Sequence, residues 1–347
     1  MNLNLPFLTL LAPLALSACG GGGGDPAAPD AAAAAADVAV VDGMVRIESL
    51  TNDQRTAAAT ATSQSTVNAC NSVRPFYREV GSKDAKLASG SITSPTSAVK
   101  YLSTVPMSVA SASKWIYGAY VAQKLGVAGL SSNDRKFLSM RAGYITFQGC
   151  DPTQTVDSCL AFQSNGNYTP AADGKFYYGG GHMEKHANLI GLGARNDTTL
   201  TAEVQSQIGT DVAFTYTQPQ LAGGLAMTPD AYAKVLRKML SGGLRIGALL
   251  GTGPVCTNPL TCGTDQAVFT PIPTTESWHY SVAHWVEDDP VVGDGAFSSP
   301  GAFGFYPWID ASKTYYGVLA RVAQNGAFTS VQCGRLIRKA WMTGTAR

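Results

Sequence analysis

The sequence predicts a mixed α/β (α+β) domain over residues 44–347, and three observations carry that prediction. Strand-like alternation lies near both ends, at Val45–Leu50 and again at Phe303–Ile309 and Thr314–Val322. Strong helix patterns lie between them, over 112–126 and 229–240. A last helix pattern, from Ser330 to about Met342, closes the chain. Strands at both ends with helices between imply one sheet built from both termini and an inserted, mostly helical region. Composition agrees: of 347 residues, 45% are hydrophobic, which excludes a disordered chain. A net charge of +1 gives no electrostatic footprint for nucleic acid, so none is expected as a partner.

The elements can be justified in chain order. Residues 1–18 contain an apolar run, Leu5 to Leu16, too short to span a bilayer and followed by small residues, the pattern of a signal peptide. Leu16-Ser17-Ala18-Cys19 resembles a bacterial lipobox, although Met1–Asn4 lack the usual Lys or Arg. That resemblance implies cleavage before Cys19, lipidation of Cys19, and membrane attachment through the lipid. Because no Asp follows Cys19, it also implies a place in the cell envelope, on the periplasmic side of the outer membrane or at the cell surface. An ordinary secretory signal is the alternative. Residues 19–43, with Gly20–Gly24 and then Ala, Pro and Asp, read as a low-complexity tether.

Beyond the tether and the first strand, residues 51–70 are rich in Ala and Thr and suit a first helix. The helix over 112–126 ends at Gly126, which fits a C′ position. Thr228 as N-cap, Pro229 at the first helical position and Ser241-Gly242-Gly243 as a stop agree on the next helix. The two late strands flank a turn at Asp310–Lys313. The final helix places Val331, Ile337 and Trp341 near one face.

Apart from Cys19 there are six cysteines, an even number that in an exported chain reads as disulfides. Several connectivities are possible. Cys150–Cys159 and Cys256–Cys262 each sit among turn residues and look like stapled loops, which leaves Cys70–Cys333 as a long-range clasp. No CxxC occurs and the histidines are poorly spaced from the cysteines, so no metal is expected.

No GxSxG, HExxH, P-loop or dinucleotide fingerprint is present. Ser111-Ala-Ser-Lys114 opens the strongest helix. A serine there meets unpaired backbone N–H groups and the positive end of the helix dipole, and a lysine three residues on shares its face. Desolvated, that amine can accept the serine proton. A match of this kind is expected by chance in such a chain, and a second exists at Ser97-Ala-Val-Lys100, close to Pro106.

Context separates the two. Met107-Ser-Val-Ala-Ser111-Ala-Ser-Lys114-Trp-Ile resembles the nucleophile segment of the serine β-lactamase and penicillin-binding-protein superfamily. Leu138-Ser-Met-Arg-Ala-Gly143, Phe176-Tyr-Tyr178-Gly-Gly-Gly-His-Met, Ala222-Gly-Gly-Leu225 before Thr228-Pro-Asp230, and Ser298-Ser-Pro-Gly301-Ala-Phe-Gly304 before Trp308-Ile-Asp310 follow in order. These segments are similar to those of the superfamily's class C-like esterase branch. The resemblance implies a β-lactamase/transpeptidase-like fold, an antiparallel sheet flanked by terminal helices that pack together, which makes Cys70–Cys333 reasonable. It implies Ser111 as acylated nucleophile, Lys114 as general base, Tyr178 as proton relay, and the backbone N–H groups of Ser111 and Ala302 as an oxyanion hole. Gly180, His182, Trp278, Ser299 and Gly301 would line the substrate site, with no cofactor.

Departures narrow the chemistry. The branch's Asn after the tyrosine is Gly180, and the third motif, K-T-G or H-x-G, reads Ser299-Pro300-Gly301, without its cation. Pro300 cannot donate to a ladder, so that stretch is expected at a sheet edge. The expected function is an exported serine hydrolase cleaving an uncharged ester or amide through an acyl-enzyme. The alternatives are a catalytically inactive envelope lipoprotein with a binding role, and a D,D-peptidase or β-lactamase. The last needs a cation for its substrate's carboxylate, for which Arg141 and Arg245 are candidates. Glu287-Asp-Asp289 reads as a solvated loop. The Cys150–Cys159 loop is expected to lie over the site.

Overall fold

The structure, a computed structural model, describes residues 50–347. The predicted leader, Cys19, the tether and all of the first predicted strand but Leu50 lie outside the described residues, and Leu50 is not in a strand. Helix α1 (Asn52–Gln64) opens on Thr51, whose hydroxyl accepts from the Gln54 N–H at 3.2 Å while the Gln54 side chain accepts from the Thr51 N–H at 2.9 Å. It stops six residues short of the predicted end. The Asn68 amide takes the Thr62 carbonyl at 3.0 Å and Arg74 takes that of Ser63 at 3.1 Å, so side chains replace the next helical turn.

Eight strands form one antiparallel sheet: β1 (Phe76–Ser82), β2 (Lys86–Ile92), β3 (Val255–Cys256), β4 (His279–Tyr280), β5 (Trp285–Glu287), β6 (Ala296–Ser298), β7 (Tyr306–Ile309) and β8 (Tyr315–Ala320). Their spatial order is β2-β1-β8-β7-β6-β5-β4-β3, so the first hairpin pairs with the last strand, Tyr77 opposite Ala320. The sheet is thus built from both ends of the domain. β7 begins at Tyr306 rather than Phe303 because Gly304, at φ +94°, turns the chain just before it. Pro300 is not on an edge strand. It lies just past the end of β6, an interior strand, where no ladder bond is required of it.

Between β2 and β3 runs the helical region: α2 (Ser113–Leu125), α3 (Ser132–Leu138), α4 (Val156–Ala161), α5 (Gly181–Ala187), α6 (Asp197–Ile208) and α7 (Pro229–Leu240). Every residue of α2 from Ser113 to Ala122 is buried, as its apolar residues on all sides require. The helix ends at Gly126, φ +76°, whose N–H reaches the Ala122 carbonyl at 3.1 Å. On α7 the Thr228 hydroxyl caps the Ala231 N–H at 3.0 Å and Pro229 takes the first helical position.

Helix α8 (Ala327–Thr343) packs against α1 and the sheet. Arg55 on α1 donates to the Trp341 carbonyl at 2.8 Å, and Cys70–Cys333 joins the segments with a Cα separation of 4.6 Å. Cys150–Cys159 and Cys256–Cys262 are also bonded. The acidic run is no solvated loop. Glu287 is fully buried in β5, where it accepts from Arg338 at 2.9 Å and from the Tyr306 hydroxyl at 2.6 Å. Asp289 is also buried and receives the N–H groups of Ser277, Val291 and Val292. A run of charges in sequence does not reveal that an arginine more than forty residues away faces it.

Candidate active site

Ser111 lies in a single 3-10 turn, Ala110–Ala112, that feeds directly into α2. The turn puts Ala110 at φ +45°, a costly conformation for a residue with a Cβ and one that clusters at functional sites. Two bonds hold it: Val109 N–H to the Leu225 carbonyl at 3.0 Å, and the Ser299 hydroxyl to the Ser111 carbonyl at 3.1 Å. One helical turn on, the Lys114 Nζ donates to Ser111 Oγ at 3.0 Å and to the Ala222 carbonyl at 2.8 Å. Ser97, by contrast, lies in irregular chain where its hydroxyl accepts the Val99 N–H, and Lys100 is exposed. Only one of the two motifs forms a serine–lysine pair.

Burial drives the Lys114 ammonium down to about 8, against the upward pull of Glu184. Glu184, on α5, is fully buried and accepts the Ala222 N–H at 2.9 Å. The Ala222 peptide therefore sits between them, its N–H on the carboxyl and its carbonyl on the amine. Burial in turn pushes the Glu184 carboxyl up. The Tyr178 ring lies 4.8 Å from Lys114 Nζ, and burial raises its phenol to about 12 despite the lowering effect of Ser111 and Trp285. At neutral pH this phenol keeps its proton and can only give it up to a strong base, such as a leaving alkoxide or amine. The cluster can thus hold a hydroxyl, a weakly basic amine and a protonated phenol at one point.

The other residues singled out in the sequence fall into two groups. Ser299, Gly301 and Ala302 pass beside Ser111. A Cβ on Gly301 would stand 2.2 Å from the Val109 carbonyl, so only glycine permits this approach. The Ala302 N–H makes no hydrogen bond among the described residues, and Ala302 and Ser111 line one cavity. Of the five residues expected to line the substrate site, Gly180, His182, Trp278, Ser299 and Gly301, none is on the wall of this cavity, although Ser299 and Gly301 lie beside Ser111. His182 is fully buried, accepts from the Ala142 N–H at 3.1 Å and donates to the Tyr177 carbonyl at 3.1 Å; burial holds it at about 4, and hence neutral. Trp278 is buried and donates to Glu276 at 2.8 Å, edge-on to Trp285, and it is Trp285 that reaches the cavity. Trp278 precedes β4 and is held by Glu276, whereas the Trp285 ring packs on Tyr178 at 5.1 Å, which brings it to the serine.

None of the four histidines lines the cavity. His186 bridges Tyr117 and Asp134, His284 bridges Val282 and Gly251, and His279 pairs with Asp288. Arg141 donates to Ser139, and Arg245 reaches the Gln123 backbone on an exposed face. Neither arginine is among the cavity's lining residues.

At Gly180 a Cβ would stand 2.8 Å from the Phe147 ring and 3.4 Å from Ala222 Cβ. Phe147, just before the loop stapled by Cys150–Cys159, occupies the room that a side chain at 180 would need, while no residue of the stapled loop lines the cavity. Gly180→Asn is therefore expected to cost about 1–3 kcal/mol of stability through overpacking, with loss of activity. Gly180→Asn with Phe147→Ala should recover most of it. Thermal melts and turnover of the two variants check this; equal loss in both would refute it. Phe147 and Glu184 carried no recognisable motif and only their three-dimensional neighbours mark them, whereas Trp285, in a stretch resembling the superfamily's Y-G-x-G-W strand but expected as a core residue, lies on the cavity wall.

The cavity onto which Ser111 and Tyr178 open has a volume of about 270 Å³ and, among the described residues, no charged side chain on its wall. No protein-family model matches the sequence, and no curated protein matches it either. Solved structures do. FmtA from Staphylococcus aureus is 13% identical with a TM-score of 0.58, over 84% of this chain and 90% of that one. The octameric penicillin-binding protein homologue from Pyrococcus abyssi is 11% identical with a TM-score of 0.55, over 88% and 78%. SurE, solved with D-Leu, is 13% identical with a TM-score of 0.56, over 86% and 78%. The chain therefore has the β-lactamase/transpeptidase-like fold, an antiparallel sheet flanked by its terminal helices with a helical region inserted. At these identities the likeness establishes the fold, and function rests on the site.

Proposed function

We propose that this protein is an exported serine hydrolase that cleaves an uncharged ester or amide through an acyl-enzyme on Ser111. The observation that carries it is the Ser111 Oγ–Lys114 Nζ contact of 3.0 Å, with Lys114 buried and its pKa lowered to about 8. Lys114 takes the serine proton as Ser111 Oγ attacks the carbonyl carbon. The oxyanion that forms is received by the N–H groups of Ser111 and Ala302. Tyr178 gives its proton to the leaving group, takes one from Lys114, and the same groups deliver water to release the acyl group. The superfamily resemblance supports these roles, and the lack of any histidine on the cavity wall supports Lys114 as the base. The uncharged wall supports an uncharged substrate, because a carboxylate would lose its hydration without a paired cation.

Turnover tests it. Nitrophenyl acetate should be hydrolysed by the wild type and not by Ser111→Ala, with penicillins and D-alanyl peptides at least about 100-fold slower, the scale of one lost charged contact. Preference for the carboxylate substrates would favour the D,D-peptidase or β-lactamase alternative. The lipobox supports attachment to the envelope through Cys19. A mature N-terminus at an acylated Cys19, read by mass spectrometry, tests the anchor; one that begins elsewhere refutes it.

A further inference from the structure

The catalytic account uses one end of the cavity, Ser111, Tyr178 and Ala302, and leaves the rest of its wall without a role. That remainder is apolar. Ala327 and Val331 are four residues apart on α8 and so share a face, with Phe328 beside them and Ile272 from the loop after Phe269. Every cation on or beside α8's first turns is engaged elsewhere. Arg321 bonds Ser330 at 2.9 Å, Thr329 at 2.8 Å and the Val73 carbonyl at 3.1 Å, and Arg335 pairs with Glu276 at 2.9 Å. Nor is the wall suited to a peptide. Pro271 and Pro300 line it without N–H groups to offer, and among the described residues Asn325 is its only side-chain amide. A peptide's donors and acceptors would be buried there unpaired, which is costly.

Resting on the proposed Ser111 chemistry, we infer that the substrate is an ester bearing an aliphatic group, and that this group docks on the α8 face made by Ala327, Phe328 and Val331. The aliphatic chain contributes burial of apolar surface and orients the ester carbonyl toward Ser111. Helix α8 then acts as the ruler for chain length, a role set by its packing on the sheet rather than by any catalytic motif.

The test varies the chain on each side of the ester. In the nitrophenyl series from acetate to hexanoate, or in alkyl acetates of matching length, kcat/KM should rise about fourfold per methylene until the chain outgrows the cavity. Ala327→Trp fills the cavity and should lower the ratio of long-chain to acetyl turnover by about tenfold or more. Phe328→Ala should move the optimum to longer chains. A readout free of catalysis runs beside it: calorimetric binding of intact methyl hexanoate and hexyl acetate to the Ser111→Ala protein, expected to tighten with chain length and to vanish when Ala327→Trp is added. Turnover with a flat length profile in both series, and no such binding, overturns the aliphatic site while the hydrolase stands. Chain-dependent binding to Ser111→Ala without turnover by the wild type leaves the aliphatic site standing and sinks the hydrolase.

Discussion

Lys114→Met is expected to lower ester turnover by about 10²–10⁴-fold, the range for removing a positioned general base. The fold should survive, because Met fills a similar volume and relieves the cost of burying an amine. The pH dependence gives the sharper form of this prediction. With Lys114 at about 8, only about a tenth of the enzyme carries the neutral amine at pH 7. Activity should therefore climb with pH through about 8 and fall away on the acid side. Glu184 holds the Lys114 value up. Because burial raises the Glu184 carboxyl to about 8, it is only partly ionised where Lys114 titrates, so Glu184→Gln removes a partial charge and should shift the acid limb modestly to lower pH. A kcat/KM profile from pH 5 to 10 for the three proteins checks both points. An acid limb that stays in place in Glu184→Gln, or a Lys114→Met variant with near wild-type activity, would contradict the assignment.

The second large effect is on stability. Arg338, on the buried face of α8, donates to Asp294 at 2.7 and 2.8 Å, to Glu287 at 2.9 Å and to the Tyr306 hydroxyl at 2.6 Å, with its guanidinium over the Trp308 ring. These partners hold the pKa of Arg338 above its ordinary value in spite of burial. Arg338→Met would leave the Glu287 carboxylate buried without its main countercharge, and should cost about 3–5 kcal/mol in urea unfolding. Arg338→Met with Glu287→Gln should cost less than the single change, because no naked charge remains. A single variant within about 0.5 kcal/mol of wild type would show the cluster to be structurally idle. The same cluster bears on the site, since β5 carries Trp285 and α8 carries Phe328 and Val331.

What could be read from the sequence is what depends on local rules. The Thr228-Pro229 helix start, the Gly126 stop and the two adjacent cysteine pairs are short-range signals, and the structure follows them. Cys70–Cys333 followed once the near pairs were set aside. The Ser111–Lys114 pair was legible through the segments around it, since Ser97 and Lys100 share its spacing, and the contact formed at 3.0 Å is what distinguishes the two in the structure. The misplaced residues depend on partners far away in the chain. His182 is turned inward by the Ala142 N–H and the Tyr177 carbonyl, Trp285 reaches the cavity by packing on Tyr178 while Trp278 is held by Glu276, and Glu287 is buried by Arg338. Phe147 reaches Gly180 from just before a loop whose path its disulfide constrains but does not announce.

The proposed hydrolysis requires Ser111 to be an activated nucleophile. Intact mass of the folded chain after reaction with a fluorophosphonate tests it most directly, with Ser111→Ala and Ser97→Ala alongside. One adduct is expected on wild type, retained in Ser97→Ala and absent in Ser111→Ala. No adduct on well-folded wild type, or one that persists in Ser111→Ala, would contradict it.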